Sequence, residues 1–125
     1  MVKIFVVEDH ADSREMYGAL LAAAGYKPVL FSNPQEALEN MGERPRVLLV
    51  DNKFGNNPMS GVDFLKRWYE ADRSAAVVIV TGSHPDDLMK DLSSLIGDGL
   101  KIECLLKPAI DTLVASVGRL AEKRQ

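Results

Sequence analysis

Residues 47–61 of the chain are VLLVDNKFGNNPMSG, four apolar residues that run directly into an aspartate and then into a polar loop. The apolar residues do not alternate with polar ones, which is typical of a parallel strand covered by helices on both faces. The run AAVVIV at residues 75–80 has the same character. The two stretches predict the centre of a parallel sheet, with Asp51 directly after one of its strands.

Three further apolar runs complete a set of five predicted strands, which alternate along the chain with segments of helical periodicity. The strands are expected at residues 3–7, 27–31, 46–50, 75–80 and 102–106. Five βα units without repeats or a linker predict a single α/β domain over residues 1–125. We expect an open, doubly wound, five-stranded parallel sheet with right-handed crossovers.

Two of the predicted helices have informative sequences. The stretch NPQE offers Asn33 as N-cap, Pro34 as the first helical residue and Glu36 as the partner in a capping box, and this helix is expected to run to about Met41. Further on, apolar residues recur at helical spacing and predict one continuous core-facing stripe, made of Leu88, Leu92, Leu95 and Ile96.

Composition and charge argue against several classes of protein. The chain is 46% hydrophobic and 26% charged, as in ordinary globular domains. A net charge of −3 and a pI near 5.3 disfavour direct binding to nucleic acid. No apolar run approaches the roughly 20 residues that span a bilayer, and no leader opens the chain, so we expect a cytoplasmic protein without a membrane partner.

Polar side chains follow four of the five predicted strands, at the edge where open α/β sheets bind ligands. They are Glu8 and Asp9 after the first strand, Asp51 after the third, Thr81 after the fourth and Lys107 after the fifth. Each one alone has a structural explanation, as a loop residue, helix cap or solvated side chain. Together they favour a metal site, because three neighbouring carboxylates repel one another unless a cation neutralises them.

The residue types predict the chemistry of this site. Oxygen ligands without a His or Cys cluster suit Mg²⁺ better than Zn²⁺. Mg²⁺ beside a carboxylate, a lysine and a hydroxyl is suited to phosphoryl transfer, in which a carboxylate can be the nucleophile. His10 and His84 are interpreted as exposed loop residues, and Gly82 and Ser83 as leaving the mouth of the site uncrowded.

The chain resembles the response-regulator receiver domains, the CheY-like modules of two-component signalling. The motifs that carry the resemblance lie in the family's order: VVEDH (6–10), VLLVD (47–51), VIVTG (78–82) and LLKPA (105–109). The resemblance covers essentially the whole chain, and it implies a flavodoxin-like sheet with strand order 2-1-3-4-5.

The same resemblance implies a role for each acidic residue. Asp51 would be the phosphoacceptor and would also bind Mg²⁺. Asp9 would be a direct Mg²⁺ ligand, Glu8 would act mostly through water, and the carbonyl of Lys53 would be a third protein ligand.

Further roles at the ends of the fourth and fifth strands follow from the resemblance. Lys107 would pair with the phosphoryl group and would precede a cis peptide bond to Pro108. Thr81 would hydrogen bond to the phosphoryl oxygens.

The function implied is a switch rather than an enzyme, since the domain assists only its own phosphorylation and dephosphorylation. A histidine kinase or histidine phosphotransfer protein would supply the phosphoryl group. A downstream effector or output domain would then bind, on the surface of the fourth helix, fifth strand and fifth helix. Because the chain ends at Gln125, soon after the fifth helix, we expect a stand-alone receiver or one excised from a longer protein.

Two other functions stay open. One is a receiver-like docking module that is never phosphorylated. The other is a small Mg²⁺-dependent phosphohydrolase with an aspartyl nucleophile, which would require a second acid at the position of Lys53.

Three features depart from the family's pattern. Many members reach a glycine two residues sooner after the acceptor than Gly61, so loop 52–60 is interpreted as a surface insertion with little energetic cost. The ammonium of Lys53 could reach the phosphoryl group or pair with Glu8, and we hypothesise that it alters the phosphate lifetime. Cys104 replaces a common Tyr or Phe and is interpreted as structural rather than redox-active.

Overall fold

Five parallel strands and six α-helices alternate in the computed structural model, which describes residues 1–82 and 85–122. The strands are β1 (Lys3–Val7), β2 (Lys27–Phe31), β3 (Val47–Asp51), β4 (Ala76–Thr81) and β5 (Ile102–Leu106). The helices are α1 (Ala11–Ala23), α2 (Pro34–Glu39), α3 (Gly61–Ala71), α4 (Pro85–Asp91), α5 (Ser93–Gly97) and α6 (Leu113–Glu122), with a short 3₁₀ turn at Met41–Glu43.

The strands form one sheet in the order β2-β1-β3-β4-β5, and every neighbouring pair is parallel. This confirms the predicted α/β fold and strand order. All residues of β3 and β4 are buried, as their lack of alternation predicted. Both strands begin one residue later than expected and include Asp51 and Thr81, whose ladder partners are Val80 and Leu106.

Helices cover both faces of the sheet and form two apolar cores. Tyr17 and Leu21 of α1 and Leu113 and Val117 of α6 pack on one face. The opposite face packs against α2, α3 and α4, with Trp68 of α3 among its largest buried side chains. Both faces of the central strands are therefore shielded, and their carboxyl ends open at a single edge.

The helical expectations need two corrections. The stripe from Leu88 to Ile96 is divided between α4 and α5, because Leu92 leaves helical geometry at φ −98° and ψ 2°. Its backbone still accepts from Ile96 and donates to Leu88, so the stripe keeps facing the core.

In α2, the predicted capping box is only half formed. The Oδ1 of Asn33 accepts from the N–H of Glu36 at 2.9 Å, but the carboxylate of Glu36 accepts from the side-chain amide of Asn33 instead of its backbone N–H. The helix ends at Glu39, before Met41, where the chain tightens into the 3₁₀ turn. No helix among the described residues is long and apolar enough to cross a membrane.

Candidate functional site

Three carboxylates meet at the carboxyl edge of the sheet. Because β1 and β3 are neighbours, the residues that end them lie side by side. Glu8, Asp9 and Asp51 each offer one oxygen, and these oxygens lie within 4.8 Å of one another. Glu8 and Asp51 are 2% and 7% exposed, whereas Asp9 is open to solvent. The result is a buried acidic pair with a third carboxylate at its rim.

Asp51 receives one donor on each carboxylate oxygen. The ammonium nitrogen of Lys107 lies 2.8 Å from Oδ2, and the backbone N–H of Lys53 donates to Oδ1 at 3.3 Å. The N–H of Lys107 donates to the carbonyl of Thr81 at 2.8 Å, which extends the pairing of β4 and β5 to the lysine itself. The bond from Lys107 to Pro108 is cis, as the resemblance implied.

The surroundings of Glu8 raise its pKa. Its Oε1 accepts from the N–H of His10 at 3.0 Å, while its buried Oε2 has no hydrogen-bond donor among the described residues. Burial, reinforced by a hydrogen bond with Asp51, raises the pKa of Glu8 to about 8.

A basic side chain that the sequence pattern does not single out, Arg14, holds the backbone of Glu8 and Asp9. The guanidinium of Arg14, on α1, donates to the backbone carbonyls of Glu8 and Asp9 at 3.0 and 3.2 Å. These bonds fix the backbone from which both carboxylates project. An arginine one turn into a helix gives no sequence signal for this contact, since the acceptors are backbone atoms.

A cleft of about 260 Å³ opens beside Asp51 and contains the remaining predicted site residues. It is lined by Asp51, Asn52, Lys53, Thr81, Gly82 and Lys107. Thr81 is buried at 2% exposure, and Gly82 is exposed. His10 is exposed, as expected, whereas Ser83 and His84 lie outside the described residues.

Of the two contacts considered for the ammonium of Lys53, the pairing with Glu8 is not found among the described residues. The side chain of Lys53 is exposed, and within residues 1–82 and 85–122 it makes no ion pair. Glu8 is buried near Asp51, and Lys107 is the cation that pairs with Asp51. The side chain of Lys53 is exposed and that of Glu8 is buried, so the two do not meet although both residues follow strands at the same edge.

The donor set at this edge fits a hard divalent cation. All three side chains offer carboxylate oxygens, the ligands that Mg²⁺ prefers in proteins. The unpartnered Oε2 of Glu8 is a buried oxygen that a cation or its bound water would satisfy. These residues would hold Mg²⁺ without any rearrangement of the strands.

Cys104 lies on β5, paired with Ile79, and packs partly buried against the core that contains Trp68. Burial raises the pKa of its thiol. Its surroundings are those of a packed apolar residue, which agrees with the structural interpretation.

Comparison with known proteins gives a consistent picture. A family model described as the response regulator receiver domain matches residues 4–117. No curated protein matches the chain. A response regulator receiver domain protein from Clostridium thermocellum is 23% identical with a TM-score of 0.81, and the match covers 99% of this chain and 97% of that one.

Two other solved structures share the fold. TrrA from Thermotoga maritima, in complex with Mg(2+)-BeF, is 23% identical with a TM-score of 0.79, over 96% of this chain and 99% of that one. NtrX from Brucella abortus, in complex with ATP, is 24% identical with a TM-score of 0.80, over 99% of this chain. The chain spans 28% of the length of NtrX. At these identities the structures show a common fold.

Proposed function

The chain belongs to the response regulator receiver domain family, and from this premise we propose that it is a signalling switch that accepts a phosphoryl group on Asp51. One observation carries the proposal: Asp51 ends a buried strand with Lys107 on one side and the pair Glu8 and Asp9 on the other. This arrangement aims a nearly buried carboxylate into an open cleft between a cation and a metal-binding set of oxygens.

Asp51 acts as the nucleophile. A carboxylate oxygen of Asp51 forms a bond to phosphorus, and the bond from phosphorus to the nitrogen of a phosphohistidine donor breaks with its electron pair on the imidazole. The ammonium of Lys107, which pairs with Asp51 in the resting site, neutralises charge on the phosphoryl oxygens. The hydroxyl of Thr81, on the wall of the cleft, donates to the same oxygens.

Asp9, Asp51 and the carbonyl of Lys53, with Glu8 through water, would hold Mg²⁺, which when bound would supply neutralising charge for the phosphoryl oxygens. The proton on Glu8 removes one negative charge from beside Asp51 in the metal-free site. Positioning and charge therefore account for the reaction, and no substrate pocket is required.

The phosphoryl donor is a histidine kinase or a histidine phosphotransfer protein, and the protein acts in the cytoplasm. Phosphorylation shifts an existing equilibrium toward a conformation that a downstream effector or output domain binds better. Two large apolar side chains near Lys107 are exposed to solvent: Leu106, the last residue of β5, at 54%, and Ile110, in the segment after Lys107, at 45%. They support a docking surface formed by α4, β5 and α6.

The first test is phosphorylation by acetyl phosphate in the presence of Mg²⁺, followed by measurement of the intact mass. We expect a gain of one phosphoryl group, which is lost without Mg²⁺ and in the variant Asp51→Asn. A protein that gains no mass and also fails to bind beryllofluoride would contradict the proposal.

Such a failure would favour a second candidate, a receiver-like docking module that is never phosphorylated. Cys104 is the observation that supports this candidate, since this small side chain replaces the Tyr or Phe that is common at this position in the family.

A further inference from the structure

The lengthened loop 52–60 is held firmly to the rest of the molecule. The N–H of Gly61 donates to the carbonyl of Asn52 at 2.8 Å and closes the loop at its base. Inside the loop, Phe54 is 3% exposed and packs edge-on against Phe64 of α3, with ring centroids 6.4 Å apart. A loop with a buried aromatic anchor differs from the passive surface insertion that we expected from the sequence.

A pair of reciprocal hydrogen bonds, which we call the amide clasp, ties the loop to α2. The Nδ2 of Asn57 donates to the Oε1 of Gln35 at 2.9 Å, and the Nε2 of Gln35 donates to the Oδ1 of Asn57 at 3.2 Å. The same Oδ1 accepts from the N–H of Met59 at 3.0 Å. Because both directions are satisfied together, the clasp sets the orientation of the loop as well as its position.

The clasped loop leaves room for the carboxylate of Asp9 at a glycine. Gly55 has a positive φ of 58°, and a β-carbon at this position would lie 2.6 Å from the Oδ2 of Asp9. Asp9 is exposed, and in the part of the chain that the structure describes no donor contacts its carboxylate. The absence of a side chain at Gly55 therefore leaves the space that the carboxylate of Asp9 occupies.

We propose that Gly55 and the amide clasp of Asn57 and Gln35 are positioning residues for the cation site. Gly55 leaves the space that the carboxylate of Asp9 occupies near Asp51, and the clasp holds the loop in the position that keeps this space open. This inference rests on the proposed function, and it assigns the extra residues of loop 52–60 to metal affinity.

Titration with Mg²⁺ by isothermal calorimetry tests the role of Gly55. We expect Gly55→Ala to weaken Mg²⁺ binding by about tenfold, the lower range for loss of an outer-shell partner of a metal ligand. The matched control is Gly25→Ala: Gly25 also has a positive φ, of 95°, but among the described residues nothing lies within 4 Å of a β-carbon there. Backbone strain is common to both variants, so Gly25→Ala should bind Mg²⁺ like the wild type.

The clasp is tested with Asn57→Ala, Gln35→Ala and the double variant. Each single change should weaken Mg²⁺ binding by about three- to tenfold, the equivalent of one hydrogen bond. The double variant should be no weaker than the weaker single one, since both changes remove the same contact. The midpoint of urea unfolding without Mg²⁺ identifies any variant that binds Mg²⁺ more weakly only because its fold is less stable.

The outcomes distinguish a failure of the proposed function from a failure of this inference alone. A wild-type protein that does not bind Mg²⁺ would overturn both this inference and the metal site of the proposed function. If the wild type binds Mg²⁺ and both Gly55→Ala and Asn57→Ala bind it with the wild-type affinity, this inference alone is overturned. Equal weakening by Gly25→Ala and Gly55→Ala would also overturn it.

Discussion

The ammonium nitrogen of Lys107 lies 2.8 Å from the Oδ2 of Asp51, so a cation at the end of β5 reaches across β4 to the carboxylate that ends β3. Burial lowers the pKa of Lys107, but the hydrogen bond to Asp51 and the attraction of nearby carboxylates raise it further, for a net increase. The lysine therefore stays charged and serves as the resting counter-ion of the proposed phosphoacceptor.

Removal of this counter-ion should destabilise the metal-free protein. Lys107→Met leaves Asp51 nearly buried without its cation, and we expect a loss of about 1 kcal/mol, a modest figure because Lys107 is 40% exposed. Urea unfolding in EDTA measures the change. The control is Lys101→Met, at the other end of β5, where the lysine is exposed and should contribute little. Equal losses in the two variants would show that the ion pair contributes nothing.

Stability should fall as pH rises through the range in which Glu8 holds its proton. The pKa of Glu8 is about 8 in the folded protein against 4.5 for the free group. Between these values the folded state binds one proton more than the unfolded state, so raising the pH favours unfolding. Above about pH 8 both states have lost the proton, and this dependence ends.

The variant Glu8→Gln tests this dependence, because it keeps the shape of the side chain and removes the titration. In EDTA at pH 8 it should be more stable than the wild type by at least about 1 kcal/mol, the equivalent of one pKa unit. Its stability should also change less between pH 5 and 8. Glu39→Gln, on the exposed end of α2, is the matched control and should follow the wild type. A parallel pH profile for Glu8→Gln and wild type would refute the expectation.

Gly61 should tolerate no side chain. A β-carbon there would lie 2.7 Å from the carbonyl oxygen of Asp51 and 2.9 Å from the Cα of Asn52, so the backbone beneath the site would have to move. We expect Gly61→Ala to lose about 1–3 kcal/mol, as for an overpacked site. Gly97→Ala, in α5 with open space around it, should be neutral or gain up to about 1 kcal/mol, since alanine favours helices. The midpoints of urea unfolding measure the change in stability of each variant, and equal midpoints would contradict the expected loss in Gly61→Ala.

The thiol of Cys104 should resist alkylation. Burial raises its pKa, so at pH 8 a smaller fraction is thiolate than for a free cysteine. Iodoacetamide should therefore label the native protein more slowly than the urea-unfolded protein, and the native rate should increase from pH 8 to 10. Equal rates in the folded and unfolded protein at pH 8 would instead identify an accessible, reactive thiol.

Local patterns were sufficient for most of the fold. The unbroken apolar runs of β3 and β4 predicted a parallel sheet because only strands covered on both faces lack a polar side. Errors arose where one residue changes the backbone, as at Leu92 between α4 and α5. Hydrophobic spacing continues through such a residue, so the periodicity cannot show the break.

Hydrophobic patterning was enough to predict the sheet and the polar residues that follow its strands, because parallel strands place their carboxyl ends at one edge whatever the conformation of their loops. Which of these polar groups contact one another depends on the folded chain. Lys107 pairs with Asp51 and Lys53 does not reach Glu8, because burial depth and strand order set those distances. The space that Gly55 leaves for the carboxylate of Asp9 involves residues far apart in the chain, so the local sequence pattern gives no sign of it.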